Sequence, residues 1–201
     1  MQKNASKILL LPAVLIYLVR WIGIRFFDSE FLVQAAPLHY LLLAALLLIS
    51  VRREPKKILW MALVALGSFA VIGLAVAPSA SFWGAAVGQP LGGVPLLAGL
   101  YAMIVFSGIS ALVALAHMPL WQKLTAAALL SLVFAFLLTL SGPVLDYWPR
   151  DSWSFSAAFL GGSALLAAAA SGTWFGLRLR AGHFAIVLLL LEGIFLALMR
   201  L

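Results

Sequence analysis

Residues 183–200 read HFAIVLLLLEGIFLALMR, an apolar stretch of 18 residues with one carboxylate, Glu192, at its middle. A helix that crosses the roughly 30 Å of bilayer hydrocarbon needs about 20 predominantly apolar residues. Six further stretches near that length precede it, at 8–25, 36–52, 57–77, 94–117, 121–141 and 155–177. Apolar periodicity does not separate helix from buried strand in such runs, but their length does. A transmembrane β-barrel would show alternating segments of about ten residues, which this sequence lacks. The chain therefore reads as one all-α domain over 1–201, a polytopic transmembrane helical bundle of about seven spans.

Composition points the same way. Hydrophobic residues make up 65% of the chain and charged residues 9%, which leaves no room for a soluble domain beside the bundle. Cysteine is absent, so disulfide and thiolate chemistry are excluded. The net charge of +7 does not mark a nucleic-acid surface, because the basic residues flank the apolar stretches. With seven spans, one side carries Lys3, Lys7, Arg52, Arg53, Lys56, Lys57, Lys123, Arg178 and Arg180, against Arg20, Arg25, Arg150 and Arg200 on the other. The positive-inside rule then puts the N-terminus in the cytoplasm of a cell with the protein multi-pass in its inner membrane. Arg52-Arg53-Glu54-Pro55-Lys56-Lys57 is a compact cytoplasmic turn on this reading. The first stretch leads into Arg20-Trp21-Ile22-Gly23 rather than a small-residue cleavage site, so no cleavable signal peptide is expected.

Ionisable side chains inside a membrane are costly, and each is a functional candidate by default. Glu192 is the one carboxylate within the apolar stretches. It is either a structural group, neutral or paired with Arg20 across the bundle, or a proton donor in an apolar cavity, since burial raises a carboxyl's proton affinity. Arg20 lies late in the first stretch, where its side chain can snorkel to water. His39 follows Pro37-Leu38 and suits a helix start or an interface better than catalysis. His117 and His183 fall at span ends, and no histidine pair has ligand spacing beside a carboxylate, so no metal or other cofactor is expected.

The two longest connections, 78–93 and 142–154, fall on the outer side and carry Trp83, Tyr147, Trp148 and Trp153. They form an aromatic belt at the headgroup level, or they cap a cavity between the helices. Asp151 beside Arg150 pairs with it or caps the sixth span. Gly161, Gly162, Ser163, Ala167 and Ser171 give the sixth span a small-residue face suited to close packing. The glycines at 88–93 lack the Lys-Ser/Thr ending of a phosphate loop, and Pro95 belongs in the first turn of the fourth span. A retinal protein is excluded because the last span has no lysine.

Several segments together resemble the membrane-embedded carotenoid biosynthesis family that includes the carotenoid 1,2-hydratases and bisanhydrobacterioruberin hydratases. Trp83-Gly84 through Gly88, Leu91, Val94-Pro95-Leu96-Leu97 and Gly99 are similar to that family's aromatic-Gly, Gly, Leu, Val-Pro-Leu, Gly pattern. Trp21-Ile22-Gly23-Ile24 with Pro37-Leu38-His39, Gly67 to Gly73, Gly142-Pro143-Val144 with Asp146-Tyr147-Trp148, and Phe159-Leu160-Gly161 resemble further elements in the same order. The departures are at polar positions. Where the resemblance implies acids the chain has Ala70, Gly142 and a residue near Thr139. Where it implies Asn the chain has His39 and Ala158, and Tyr101-Ala102 replaces Asn-Trp.

Hydrating a terminal alkene requires a positioned acid to make a tertiary cation, stabilisation of that cation in a dry cavity, and capture by water. The resemblance therefore implies two alternatives. The first is an integral membrane protein that binds a carotenoid or other isoprenoid lipid without chemistry, as a subunit beside membrane lipid and a partner protein or second copy. The second is a hydratase adding water to a terminal C=C bond, with Glu192 as acid and Tyr101 or His39 positioning water. The loss of the acids favours binding. The ligand contacts would come from His39, Trp83, Pro95, Tyr101, Tyr147, Trp148 and Trp153.

Overall fold

A computed structural model describes residues 2–27, 29–76, 90–91, 94–147 and 156–200. The chain forms α1 (Gln2–Phe27), α2 (Glu30–Gln34), α3 (Ala36–Ser50), α4 (Pro55–Val76), β1 (Pro90–Leu91), β2 (Val94–Pro95), α5 (Leu96–Leu115), α6 (Leu120–Ser141), α7 (Ser156–Gly176) and α8 (His183–Arg200). It is a helical bundle, and its long helices fall on the apolar stretches of the sequence. Four of them, over Ile8–Phe27, Leu97–Leu115, Leu120–Ser141 and His183–Arg200, are long and apolar enough to cross a membrane, which marks a membrane protein. Ala36–Ser50 is a shorter apolar helix.

Leucines, valines and phenylalanines cover the outside, among them Leu63, Leu129, Phe136, Leu165 and Leu190. Because apolar residues face both ways, burial follows helical geometry without a polar outer face to reveal it. On α3 the buried positions are Ala36, His39, Tyr40, Leu43, Ala44 and Leu47, the 3–4 spacing of a single helical face.

Helix α5 is the hub, packing on α3, α4, α6, α7 and α8. Gly108 makes part of this possible: a β-carbon there would lie 2.8 Å from the Ala185 carbonyl oxygen on α8. The small-residue face of α7 is used in part. Ser171 meets Ser110 of α5 at 3.0 Å, and Ser131 of α6 donates to the Ser163 carbonyl at 2.9 Å. Gly161 and Gly162 do not act as expected, since a β-carbon at either would meet nothing among the described residues. Pro95 also departs from expectation. It precedes α5 and pairs with Pro90 in the short antiparallel β1–β2 ladder, where a missing N–H is tolerated.

Between α4 and α7, Trp60 packs edge-on against Trp174 with ring centroids 4.8 Å apart. The Trp60 indole donates to Thr173 Oγ1 at 3.0 Å. Lys57 is paired with Glu54 at 2.8 Å, the one ion pair among the described residues.

Candidate functional site: a buried tyrosine, arginine and glutamate cluster

Tyr17 and Arg20 are three residues apart on α1 and so share a face. His39 and Tyr40 lie in the first turns of α3, Tyr101 in the first turns of α5, and Glu192 and Phe195 on the inner face of α8. Tyr147 follows α6. There Asp146 adopts a left-handed conformation (φ 51°) and the Tyr147 N–H bonds back to the Gly142 carbonyl at 2.8 Å, which turns the tyrosine inward. These segments meet at one end of the bundle and bring together all four tyrosines of the chain.

Glu192 is fully buried, and both carboxyl oxygens are occupied. Tyr17 donates to Oε2 at 2.6 Å and Tyr40 donates to Oε1 at 2.7 Å. Arg20 is also buried, at 2% exposure, so it does not snorkel to water as its position suggested. Nor does it form an ion pair with Glu192. Its Nη2 donates to the Tyr147 hydroxyl at 2.9 Å, and its Nε donates to the Leu32 carbonyl at 3.3 Å. Tyr147 lies within hydrogen-bonding reach of Tyr40. Tyr147 thus accepts from Arg20, while the neighbouring Tyr40 donates to Glu192.

Three rings surround the guanidinium, with Phe195, Tyr147 and Tyr40 centroids 5.3, 5.8 and 5.9 Å from its central carbon. Cation–π attraction is strongest in such desolvated settings, at about 2 kcal/mol. The His39 ring stacks on Phe195 (5.7 Å) and meets Tyr17 and Tyr40 edge-on at 4.9 Å each. Burial holds the Tyr147 phenol above its ordinary range, while the neighbouring Arg20 pulls it the other way.

Helix α2 completes the site. The Leu32 side chain packs into the space that a β-carbon at Gly23 would take, and the Leu32 carbonyl of α2 faces Arg20. Ser29 caps α2, and its N–H bonds the Gly23 carbonyl at 3.1 Å. Between α1, α2 and α3 lies a groove of about 320 Å³. Leu15, Val19, Phe31, Leu38 and Leu42 line it, and among the described residues Arg20 and His39 are its polar lining residues. Beneath it, Arg20 Nη1 and both His39 nitrogens have no hydrogen-bond partner.

The sequence-derived candidates are therefore divided. His39, Tyr147 and Glu192 join one cluster, and Tyr101 reaches it through its ring, 5.7 Å from that of Tyr40. The Tyr101 hydroxyl is buried without a partner. Pro95 is placed by its backbone alone, in β2. Trp83, Trp148 and Trp153 lie outside the described residues. His117 and His183 are exposed at helix boundaries. Tyr17 and Tyr40 were missed by the sequence reading. Their signal was positional: each is a rare polar group within an apolar stretch, next to Arg20 or His39.

Comparison with known proteins adds no assignment: no family model matches the chain, and neither does any curated protein or solved structure.

Proposed function

We propose that the chain crosses a cell inner membrane seven times with its N-terminus in the cytoplasm, and that it binds a carotenoid or other isoprenoid lipid without transforming it. The observation that carries this reading is the groove between α1, α2 and α3. Among the described residues its lining is apolar apart from Arg20 and His39, and Leu15, Val19 and Leu38 on its rim are 49, 58 and 55% exposed on the apolar exterior. Small-molecule sites commonly combine an apolar lining with a few placed polar groups, in volumes of about 300–1,000 Å³. The fixed positive-inside distribution of Arg and Lys supports the orientation. A partner subunit or second copy would complete the assembly.

A hydratase is the second reading, favoured by the proximity of the unpartnered His39 ring to the tyrosines that hold Glu192. Against it, neither Glu192 oxygen is free to reach a substrate. The two are separated by producing the full chain in polyene-making cells and analysing both protein-bound and total lipids. Retained polyene with no hydrated product supports binding. Hydrated product that disappears on Glu192→Gln establishes the enzyme instead.

A further inference from the structure

Seven of the thirteen Lys and Arg residues collect at one end of the bundle, on three separate segments. Arg52, Arg53, Lys56 and Lys57 span the turn into α4, Lys123 lies in the first turn of α6, and Arg178 and Arg180 follow α7. The segments meet: Lys57 Nζ is 5.8 Å from the centre of the Trp174 ring on α7, and Lys123 Nζ is 5.2 Å from that of Phe175 beside it. Glu54 is the one carboxylate on these segments, and Lys57 takes it at 2.8 Å. Lys56, Arg178 and Arg180 are exposed.

A second groove, of about 510 Å³, runs from this end between α4 and α7. Trp60, Leu63 and Gly67 line it from α4, Thr173 and Leu177 on the α7 side, and Phe106 from α5. The polar groups of Trp60 and Thr173 are already used: the indole donates to Thr173 Oγ1 at 3.0 Å, and the threonine hydroxyl donates to the Ala170 carbonyl at 2.8 Å. Leu63 and Leu177 are exposed, so the groove opens on the apolar exterior. Lys56 lies one turn before Trp60 on the same face of α4, and Arg178 follows Leu177 in the chain, so the apolar lining passes directly into bases. Basic pockets between membrane helices bind anionic lipid headgroups. A second copy in the same orientation would instead bring like charges together, which is costly. We infer that this groove holds an acyl chain of an anionic phospholipid, with the phosphate at the basic end beside Lys56 and Arg178. The site is separate from the groove between α1, α2 and α3 and stands whether or not that one takes an isoprenoid.

The test uses the full chain in a neutral detergent with phosphatidylglycerol and phosphatidylcholine of identical acyl chains, and with glycerol phosphate as a headgroup without a chain. Bound lipid is counted by native mass spectrometry. A base beside a lipid surface is worth about fivefold in binding, so phosphatidylglycerol should be held about twentyfold better than phosphatidylcholine, mainly through Lys56 and Arg178. Lys56→Gln with Arg178→Gln should cut that preference to a few-fold. A β-carbon at Gly67 meets nothing among the described residues, so Gly67→Leu fills the groove without a clash. It should lower retention of both lipids several-fold at an unchanged melting temperature. Equal retention of the two lipids would overturn headgroup recognition, as would an undiminished preference in the double variant. Undiminished retention in Gly67→Leu would overturn the placement of the chain. Displacement of the lipid by glycerol phosphate at equal concentration would overturn it in favour of a free phosphate, and a lipid-free dimer in favour of a second copy.

Discussion

Glu192→Gln replaces a carboxyl by a group of almost the same shape, and the structure fixes what is lost. Glu192 accepts from Tyr17 at 2.6 Å and from Tyr40 at 2.7 Å, one phenol on each oxygen. Glutamine keeps one acceptor oxygen and turns an NH2 toward the other phenol. One phenol loses its acceptor, at about 1 kcal/mol, and must turn its oxygen to the amide NH2 while its own buried hydrogen is left unpaired, at about 1–3 kcal/mol. The expected destabilisation is about 3 kcal/mol. For a chain of this size each kcal/mol lowers the melting temperature by about 2–4 °C, so the variant should melt about 6–12 °C below the parent in the same detergent. Tyr17→Phe should also destabilise, because it removes one of the two phenols that donate to Glu192. A melting temperature of Glu192→Gln within about 2 °C of the parent would refute the assignment of Tyr17 and Tyr40 as the groups that hold Glu192.

Other parts of the structure are equally exposed to test. Gly108→Ala puts a methyl against the Ala185 carbonyl and should cost about 1–3 kcal/mol, whereas Gly161→Ala meets nothing and should leave the melting temperature unchanged or raise it. Trp60→Phe removes the indole donor to Thr173 and should cost about 1 kcal/mol in a thermal melt. Because the chain has no cysteine, single-cysteine labelling can read its topology without background. Arg53→Cys should react with a membrane-impermeant maleimide only in inverted vesicles, and Ser152→Cys only in intact spheroplasts; the opposite pattern would reverse the proposed orientation.

The helices were largely legible because apolar length is a strong signal. The stretch 183–200 coincides with α8, and 121–141 differs from α6 by one residue. Helix α2 was not, because five residues carry no span-length signal and Leu32 packs over Gly23 nine residues back along the chain. Which way each helix faces was also hidden. In a bundle that is apolar inside and out, the hydrophobic pattern does not mark the core, and only polar groups do. Arg20 illustrates the limit: its sequence position allowed it to snorkel, and what turns it inward is the meeting of Leu32, Tyr147 and three aromatic rings from distant segments. Glu192 was legible as a lone intramembrane acid, but its partners Tyr17 and Tyr40 lie 175 and 152 residues away along the chain.

The account stands or falls on whether a lipid chain lies between α1, α2 and α3. The direct measurement compares the lipids that co-purify with the parent protein and with Leu38→Trp, a change at a groove-lining position that is 55% exposed and so tolerates bulk. Both proteins are produced in isoprenoid-rich cells, and their bound lipids are measured by mass spectrometry. The account predicts about one isoprenoid chain per parent molecule and its loss from Leu38→Trp at an unchanged melting temperature. Equal isoprenoid content in the two proteins, or none in either, would contradict it.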